Sequence, residues 1–133
     1  MAEKGRVLKR WLLVTGVGYA AGAIDFVLRP RAATGTLNQV GGQPIAPEEP
    51  PGLYNALAAA YMATIAALAL AAAEDPDANR NLIPPLLVAK AASSAALLYR
   101  YVRTRRRGFA AGAALDALLL GVTGGLYAGL DGR

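Results

Sequence analysis

Apolar residues are gathered into four long blocks separated by polar and helix-breaking residues. The blocks cover residues 11–28, 53–73, 82–99 and 109–130. An α-helix rises about 1.5 Å per residue, so it needs about 20 residues to cross a hydrocarbon layer about 30 Å thick. The length of each block is close to this number. The pattern therefore predicts an all-α integral membrane protein, in which residues 1–133 form a single transmembrane four-helix bundle.

A water-soluble helical bundle is the main alternative, because the blocks are rich in alanine. Helices of a soluble bundle carry charged residues along their exposed faces. Residues 53–73 contain no charge, and each of the other three blocks contains one ionisable residue. The absence of a charged stripe favours the membrane interpretation.

The connections between the blocks differ in length. Residues 31–52 combine several glycines with four prolines and two glutamates, which predicts one long Pro/Gly-rich loop between helices 1 and 2. The second connection is a short acidic turn at residues 74–77, and Pro84 and Pro85 suit the first turn of the next helix. We therefore expect helices 2 and 3 to be antiparallel neighbours.

The composition excludes several kinds of chemistry. The sequence contains no cysteine and no histidine. It therefore lacks a thiolate nucleophile and the usual protein ligands of iron–sulfur clusters, haem, zinc and copper. It also has no Gly-rich phosphate loop, no metal-spaced carboxylates and no nucleophile–base pair. We expect a protein that is not an enzyme, with no catalytic residue, no metal and no cofactor.

The formal net charge of +5 is carried by residues that flank the apolar blocks. A basic segment precedes Trp11, and an arginine cluster lies between helices 3 and 4 at Arg100, Arg103, Arg105, Arg106 and Arg107. Basic residues in such positions anchor a protein at the membrane surface. We expect the arginine cluster to bind anionic lipid headgroups or an acidic partner, and we expect no nucleic acid partner.

The distribution of Lys and Arg does not decide the orientation. Four crossings divide these residues almost equally between the two sides of the membrane. Three interpretations stay open: a cytoplasmic N-terminus, a cytoplasmic arginine cluster, or copies that insert both ways and pair antiparallel.

Lys90, Asp116 and Asp25 are the ionisable residues within the apolar blocks. Charges at membrane depth face the interior of a bundle and pair, and they are candidates for function. Lys90 lies near the middle of its block and Asp116 about two turns into its own, so their heights differ by about 6 Å or less. We predict a buried Lys90–Asp116 ion pair and a second, surface pair between Asp25 and Arg29.

Polar neighbours of the predicted buried pair suggest an inward face on each helix. Ser93 and Ser94 follow Lys90 by one helical turn. Thr123 and Tyr127 follow Asp116 by two and three turns. We expect these side chains to satisfy one another across helices, with a ligand pocket as the alternative.

Glycines recur at intervals of four residues in two of the blocks. Small residues at this spacing allow the backbones of two membrane helices to approach closely. The glycines either close the bundle of one chain or dock it against another subunit. The candidates are Gly18, Gly22, Gly108, Gly112, Gly121, Gly125 and Gly129.

These features favour a small accessory or structural subunit of a larger membrane complex, whose partners are the bilayer and other membrane subunits or a second copy of itself. The alternative is a small ion- or proton-coupled carrier of a lipophilic or cationic solute, including a dual-topology homodimer. A lipid-modifying enzyme is disfavoured by the missing His and Cys. The Ala-, Gly- and Arg-rich composition suggests a multi-pass protein of a bacterial cytoplasmic membrane.

Overall fold

The structure is a computed structural model that describes residues 3–30, 32–33, 35, 39 and 51–131. The described residues are all-α, with four long helices and one short 3-10 helix. The long helices are α1 (Glu3–Leu28), α2 (Pro51–Glu74), α3 (Ile83–Thr104) and α4 (Arg107–Asp131). All four are long and apolar enough to cross a membrane.

The helices extend beyond the apolar blocks at several ends. α1 begins at Glu3 and includes the basic segment before Trp11, while α3 continues past Tyr99 to Thr104. Lys and Arg are good helix formers, so a helix continues where its residues leave the hydrocarbon layer. The predicted Pro/Gly-rich loop falls largely on residues outside the described ranges. Its described residues, 32–33, 35, 39 and 51–52, are helical, so the prediction of a loop is wrong at these positions.

A short acidic turn joins α2 to α3. The carboxylate of Asp75 accepts hydrogen bonds from the backbone N–H groups of Asp77 at 3.0 Å and Ala78 at 3.1 Å. Asn79 Nδ2 donates to Ala71 O at 2.9 Å, which satisfies a carbonyl in the last turn of α2. The 3-10 helix Arg80–Leu82 then leads into α3.

The turn between α3 and α4 depends on a left-handed residue. Arg105 has φ 57° and caps α3, and its N–H donates to Tyr101 O at 2.6 Å. Glycine is the residue that usually adopts this left-handed conformation, because a Cβ is strained there. Only Arg105 and Arg106 separate the two helices, so α3 and α4 form a tight hairpin.

The helices are arranged as two hairpins. α1 packs chiefly against α2, and α3 packs chiefly against α4, whereas α1–α4 and α2–α3 contacts are fewer. At one end of the bundle Lys9 Nζ donates to Glu74 O at 3.0 Å, which links the start of α1 to the end of α2. We call this end, which also holds the 3-10 helix, the Arg80 end.

The apolar core lies in the half of the bundle nearest the Arg80 end. It joins early residues of α1 and α3 to late residues of α2 and α4: Leu8, Leu12, Ile65, Ala69, Ala72, Ala73, Ile83, Leu86 and Leu130. Polar residues adjoin this core toward the middle of the bundle. The outside is apolar as well, with large side chains exposed at Val14 (69%), Val27 (66%), Val88 (68%) and Leu118 (59%).

Candidate functional site

Lys90 and Asp116 meet in the interior, where α3 faces α4. Lys90 Nζ lies 3.0 Å from Asp116 Oδ1. The two residues are 1% and 6% exposed. Lys90 lies two turns from the start of α3, one turn beyond the core residue Leu86.

Two tyrosines from the other helices complete the site. Tyr19 of α1 donates its hydroxyl hydrogen to Asp116 Oδ1 at 3.0 Å and accepts a hydrogen bond from Lys90 Nζ. Lys90 Nζ also lies 3.8 Å from the centroid of the Tyr19 ring and 5.1 Å from that of Tyr61 on α2. We call Tyr19, Tyr61, Lys90 and Asp116 the Lys90 cluster; it contains one residue from each long helix.

The Lys90 cluster has no net charge when Lys90 and Asp116 are both ionised. The ammonium has a carboxylate oxygen, a phenol oxygen and two aromatic faces around it. Such partners offset the loss of water that burial imposes on an ion, and an ammonium over an aromatic face gains further attraction from the ring quadrupole. The arrangement can therefore hold a monovalent cation inside an apolar bundle.

Further hydrogen bonds from side chains reach the backbone of neighbouring helices. Tyr61 OH donates to Ala89 O at 3.0 Å, which ties α2 to α3 beside Lys90. Ser94 Oγ donates to Ala113 O at 2.9 Å, which ties α3 to α4. Ser94, one turn from Lys90, thus joins α3 to α4.

A second polar contact lies nearer the Arg80 end. Trp11 Nε1 donates to Thr123 Oγ1 at 2.9 Å and joins α1 to α4. Thr15, one turn along α1 toward the Lys90 cluster, has a buried hydroxyl with no hydrogen-bond partner among the described residues. Tyr127, one turn beyond Thr123, has the Arg80 guanidinium 5.7 Å from its ring centroid.

Asp25 and Arg29 lie apart from the Lys90 cluster, at the far end of α1. Arg29 Nη2 is 2.5 Å from Asp25 Oδ1, and the Arg29 side chain is 73% exposed. The two residues are one turn apart on the same chain segment, so this pair does not join helices.

The glycines fall into two sets. A Cβ added at Gly22 would strike Met62, one at Gly112 would lie 3.1 Å from Leu97, and one at Gly129 would lie 3.6 Å from Lys4. Positions 18, 121 and 125 have no atom of a described residue within 4 Å of an added Cβ. Gly108 is buried at the start of α4. The first set closes the bundle, and the second set faces outward.

The arginine cluster lies at the end of the bundle opposite the Arg80 end. Arg100 is 5.9 Å from the ring centroid of Phe109, and Arg105 is 6.0 Å from that of Tyr101. Arg103 and Arg107 are exposed and Arg106 is partly buried. The cluster thus places cationic groups and aromatic rings around the two-residue turn. This composition is typical of protein segments that lie at the membrane–water interface.

Tyr19 and Tyr61 are the site residues that sequence reasoning missed. Their signal is that a tyrosine well inside an apolar block needs a partner for its hydroxyl. Within the described ranges no group of three or more acidic side chains could hold a metal ion. The Lys90 cluster itself has one carboxylate.

Comparison of the chain with models of protein families, with curated proteins and with solved structures gave no match.

Proposed function

We propose that the chain is a multi-pass integral membrane protein that serves as a non-catalytic accessory or structural subunit of a larger membrane complex. The four candidate spans have apolar outer faces, while Lys90 and Asp116 are buried inside. In water these faces would be a large unpartnered apolar surface, whereas hydrocarbon solvates them without penalty. The composition supports the cytoplasmic membrane of a bacterium as the location.

The outward glycines of α4 carry the subunit proposal. Gly121 and Gly125 are one turn apart, and no described part of the chain occupies the space beside them. Leu118, on the same helix, is also exposed. A ridge of small residues at this spacing lets a second membrane helix approach the backbone of α4 closely, and such approach drives association in lipid.

Untagged purification in mild detergent tests this proposal. We expect the chain to co-migrate with a stoichiometric larger assembly on a native gel. The double variant Gly121→Leu, Gly125→Leu should migrate separately with an unchanged melting temperature, because an added Cβ at either position meets none of the residues that the structure describes. A wild-type chain that runs only as a monomer or homodimer would contradict the proposal.

An inward glycine provides the matched control. Gly112→Leu introduces the same side chain against Leu97, so it should lower the melting temperature of the isolated chain. It adds nothing to the outward ridge. If the ridge of Gly121 and Gly125 has a specific role, only the Gly121→Leu, Gly125→Leu variant should separate from the assembly while remaining folded.

The arginine cluster supports a surface role at one side of the membrane. Anionic lipid headgroups suit its spread cationic groups, and an acidic segment of a partner subunit is the alternative. Because the chain has no cysteine, single cysteines at Lys4 and Arg103 report orientation cleanly. Labelling of the two positions from opposite sides indicates one orientation. Labelling of each from both sides indicates dual topology.

A small cation- or proton-coupled carrier is the second candidate function, favoured by the two aromatic rings around Lys90. A purely structural ion pair does not require them. Reconstitution in liposomes tests this candidate by pH-dependent uptake of a labelled alkylammonium ion. Uptake should be lost in the double variant Lys90→Ala, Asp116→Ala, and unchanged flux in that variant would remove the carrier candidate.

A further inference from the structure

We infer that Tyr19, Tyr61 and Asp116 form a binding site for a monovalent alkylammonium ion, that Lys90 is its internal occupant, and that an external cation enters in exchange for one proton. The inference deepens the carrier candidate and rests on it. It identifies the class of solute, the groups that recognise it and the coupling ratio.

The surroundings of Lys90 recognise an ammonium group, whatever that group is attached to. One carboxylate oxygen lies at 3.0 Å, and two tyrosine rings lie at 3.8 and 5.1 Å from Nζ. Attraction by a ring quadrupole depends on the charge and its distance from the ring face, and sites for ammonium ligands are built from such rings. Lys90 is in effect an alkylammonium ion tethered to α3.

A file of polar side chains leads from the Lys90 cluster toward the Arg80 end. On α1, Trp11, Thr15 and Tyr19 follow one another at intervals of one turn. Their α4 counterparts are Asp116 and Thr123, and Trp11 contacts Thr123 directly.

Thr15 is the member of this file that points to solvent access. Its hydroxyl is buried and finds no partner among the described residues. Buried hydroxyls are ordinarily hydrogen-bonded, and water satisfies those that protein groups leave. Thr15 lies one turn from Tyr19, so water at Thr15 would bring a proton acceptor close to the Lys90 cluster.

Charge balance sets the exchange ratio. When an external R–NH3+ takes the place of the Lys90 ammonium beside Asp116, Lys90 has no second carboxylate to pair with among the described residues. The titratable groups that face it are Tyr19 from α1, Tyr61 from α2 and Asp116 from α4. An unpaired ammonium in an apolar interior is strongly disfavoured, so Nζ releases its proton to water. One cation enters, one proton leaves, and the cluster stays neutral.

Removal of the tethered amine tests the site directly. The variant Lys90→Ala keeps Cβ, and propylammonium supplies the three further carbons and the nitrogen of the lysine side chain. We expect saturable propylammonium binding that restores about half or more of the melting temperature lost in Lys90→Ala, because a ligand that binds the folded form stabilises it. 1-Propanol, which has the same size without the charge, should restore none.

Two control variants define specificity. Lys90→Ala combined with Asp116→Asn lacks the carboxylate and should not respond to propylammonium. Arg29→Ala removes a surface cation but keeps the Lys90 cluster, so it should respond to propylammonium as the wild-type chain does. An equal response of Lys90→Ala to propylammonium and to 1-propanol would overturn the inference.

The wild-type chain gives a second measurement that does not depend on whether Lys90→Ala folds. Titration with ethylammonium in lightly buffered detergent solution should release about one proton per cation bound, and Asp116→Asn should release none. Binding without proton release would refute the exchange. Proton release without uptake into liposomes would retain the site and remove the carrier function. Uptake without proton release would retain the carrier and remove the present inference.

Discussion

Two acid–base pairs within the described part of the chain use similar groups at very different places. The Lys90–Asp116 pair joins α3 to α4 in the interior, and tyrosines from α1 and α2 contact it. The Asp25–Arg29 pair spans one turn at the end of α1, with the arginine largely in contact with the surroundings. Depth and the number of helices joined, rather than the 2.5 or 3.0 Å separation, determine what each pair does.

The energetic difference follows from desolvation. Breaking a buried pair leaves an uncompensated charge in a medium that solvates it poorly, whereas water or headgroups compensate a surface residue. The buried pair should therefore be sensitive to loss of one partner and tolerant of loss of both. The surface pair should be insensitive to either.

The largest effect is expected from Asp116→Ala. It leaves the Lys90 ammonium and the Tyr19 hydroxyl without their shared acceptor, so the free energy of unfolding should fall by about 3–5 kcal/mol. Reversible unfolding in mixed micelles measures this. Leu118→Ala, on the outer face of the same helix, is the control and should change little. A loss below about 1 kcal/mol for Asp116→Ala would remove the distinction between the pairs.

Replacing both partners should have a smaller effect than replacing one. Lys90→Met, Asp116→Leu replaces both charged groups with apolar ones; Met is close to Lys in volume, and Leu has the branched shape of Asp. Buried pairs exchanged for packed apolar residues are often neutral, but the Tyr19 hydroxyl loses both of its partners, so we expect a loss of about 1–3 kcal/mol in the same assay. If the double variant is as unstable as Asp116→Ala, the pair stabilises the fold in its own right.

Tyr19→Phe separates the hydroxyl from the ring. It removes the hydrogen bonds with Asp116 and Lys90 but keeps an aromatic face over the ammonium. A lost hydrogen bond to charged groups predicts a decrease in unfolding free energy of about 1.5–3 kcal/mol. Tyr99→Phe, at an exposed position on α3, is the matched control and should leave the free energy of unfolding unchanged. Equal effects of the two variants would exclude Tyr19 from the cluster.

The smallest effect is expected from Arg29→Ala. An i,i+4 pair with one partner mostly exposed contributes about 0.3–0.5 kcal/mol, and salt screens it. The difference from wild type should disappear in high salt, whereas the effect of Asp116→Ala should persist. Persistence of the Arg29→Ala effect in high salt would indicate that the Asp25 pair is more buried than its exposure implies.

Block length predicted the number and position of the helices, because hydrocarbon thickness fixes how many apolar residues a span requires. It could not predict helix ends: hydropathy marks where a helix leaves the hydrocarbon, whereas α1 continues through its basic turns to Glu3. Rise per residue was enough to match the heights of Lys90 and Asp116. The sequence did not identify Tyr19 and Tyr61 as site residues. Each occurs in a block that is apolar on all sides, so the periodicity of the block does not reveal which side of the helix faces inward.

The hairpin arrangement has a consequence for biosynthesis. Lys90 and Asp116 belong to the same hairpin, α3–α4, and only Arg105 and Arg106 separate the two helices. The second hairpin therefore brings its own counter-ion when it leaves the insertion machinery for the lipid phase. Lys90 and Asp116 can therefore pair before the α1–α2 hairpin packs against them. When the two hairpins associate, α1 and α2 add only the phenols of Tyr19 and Tyr61.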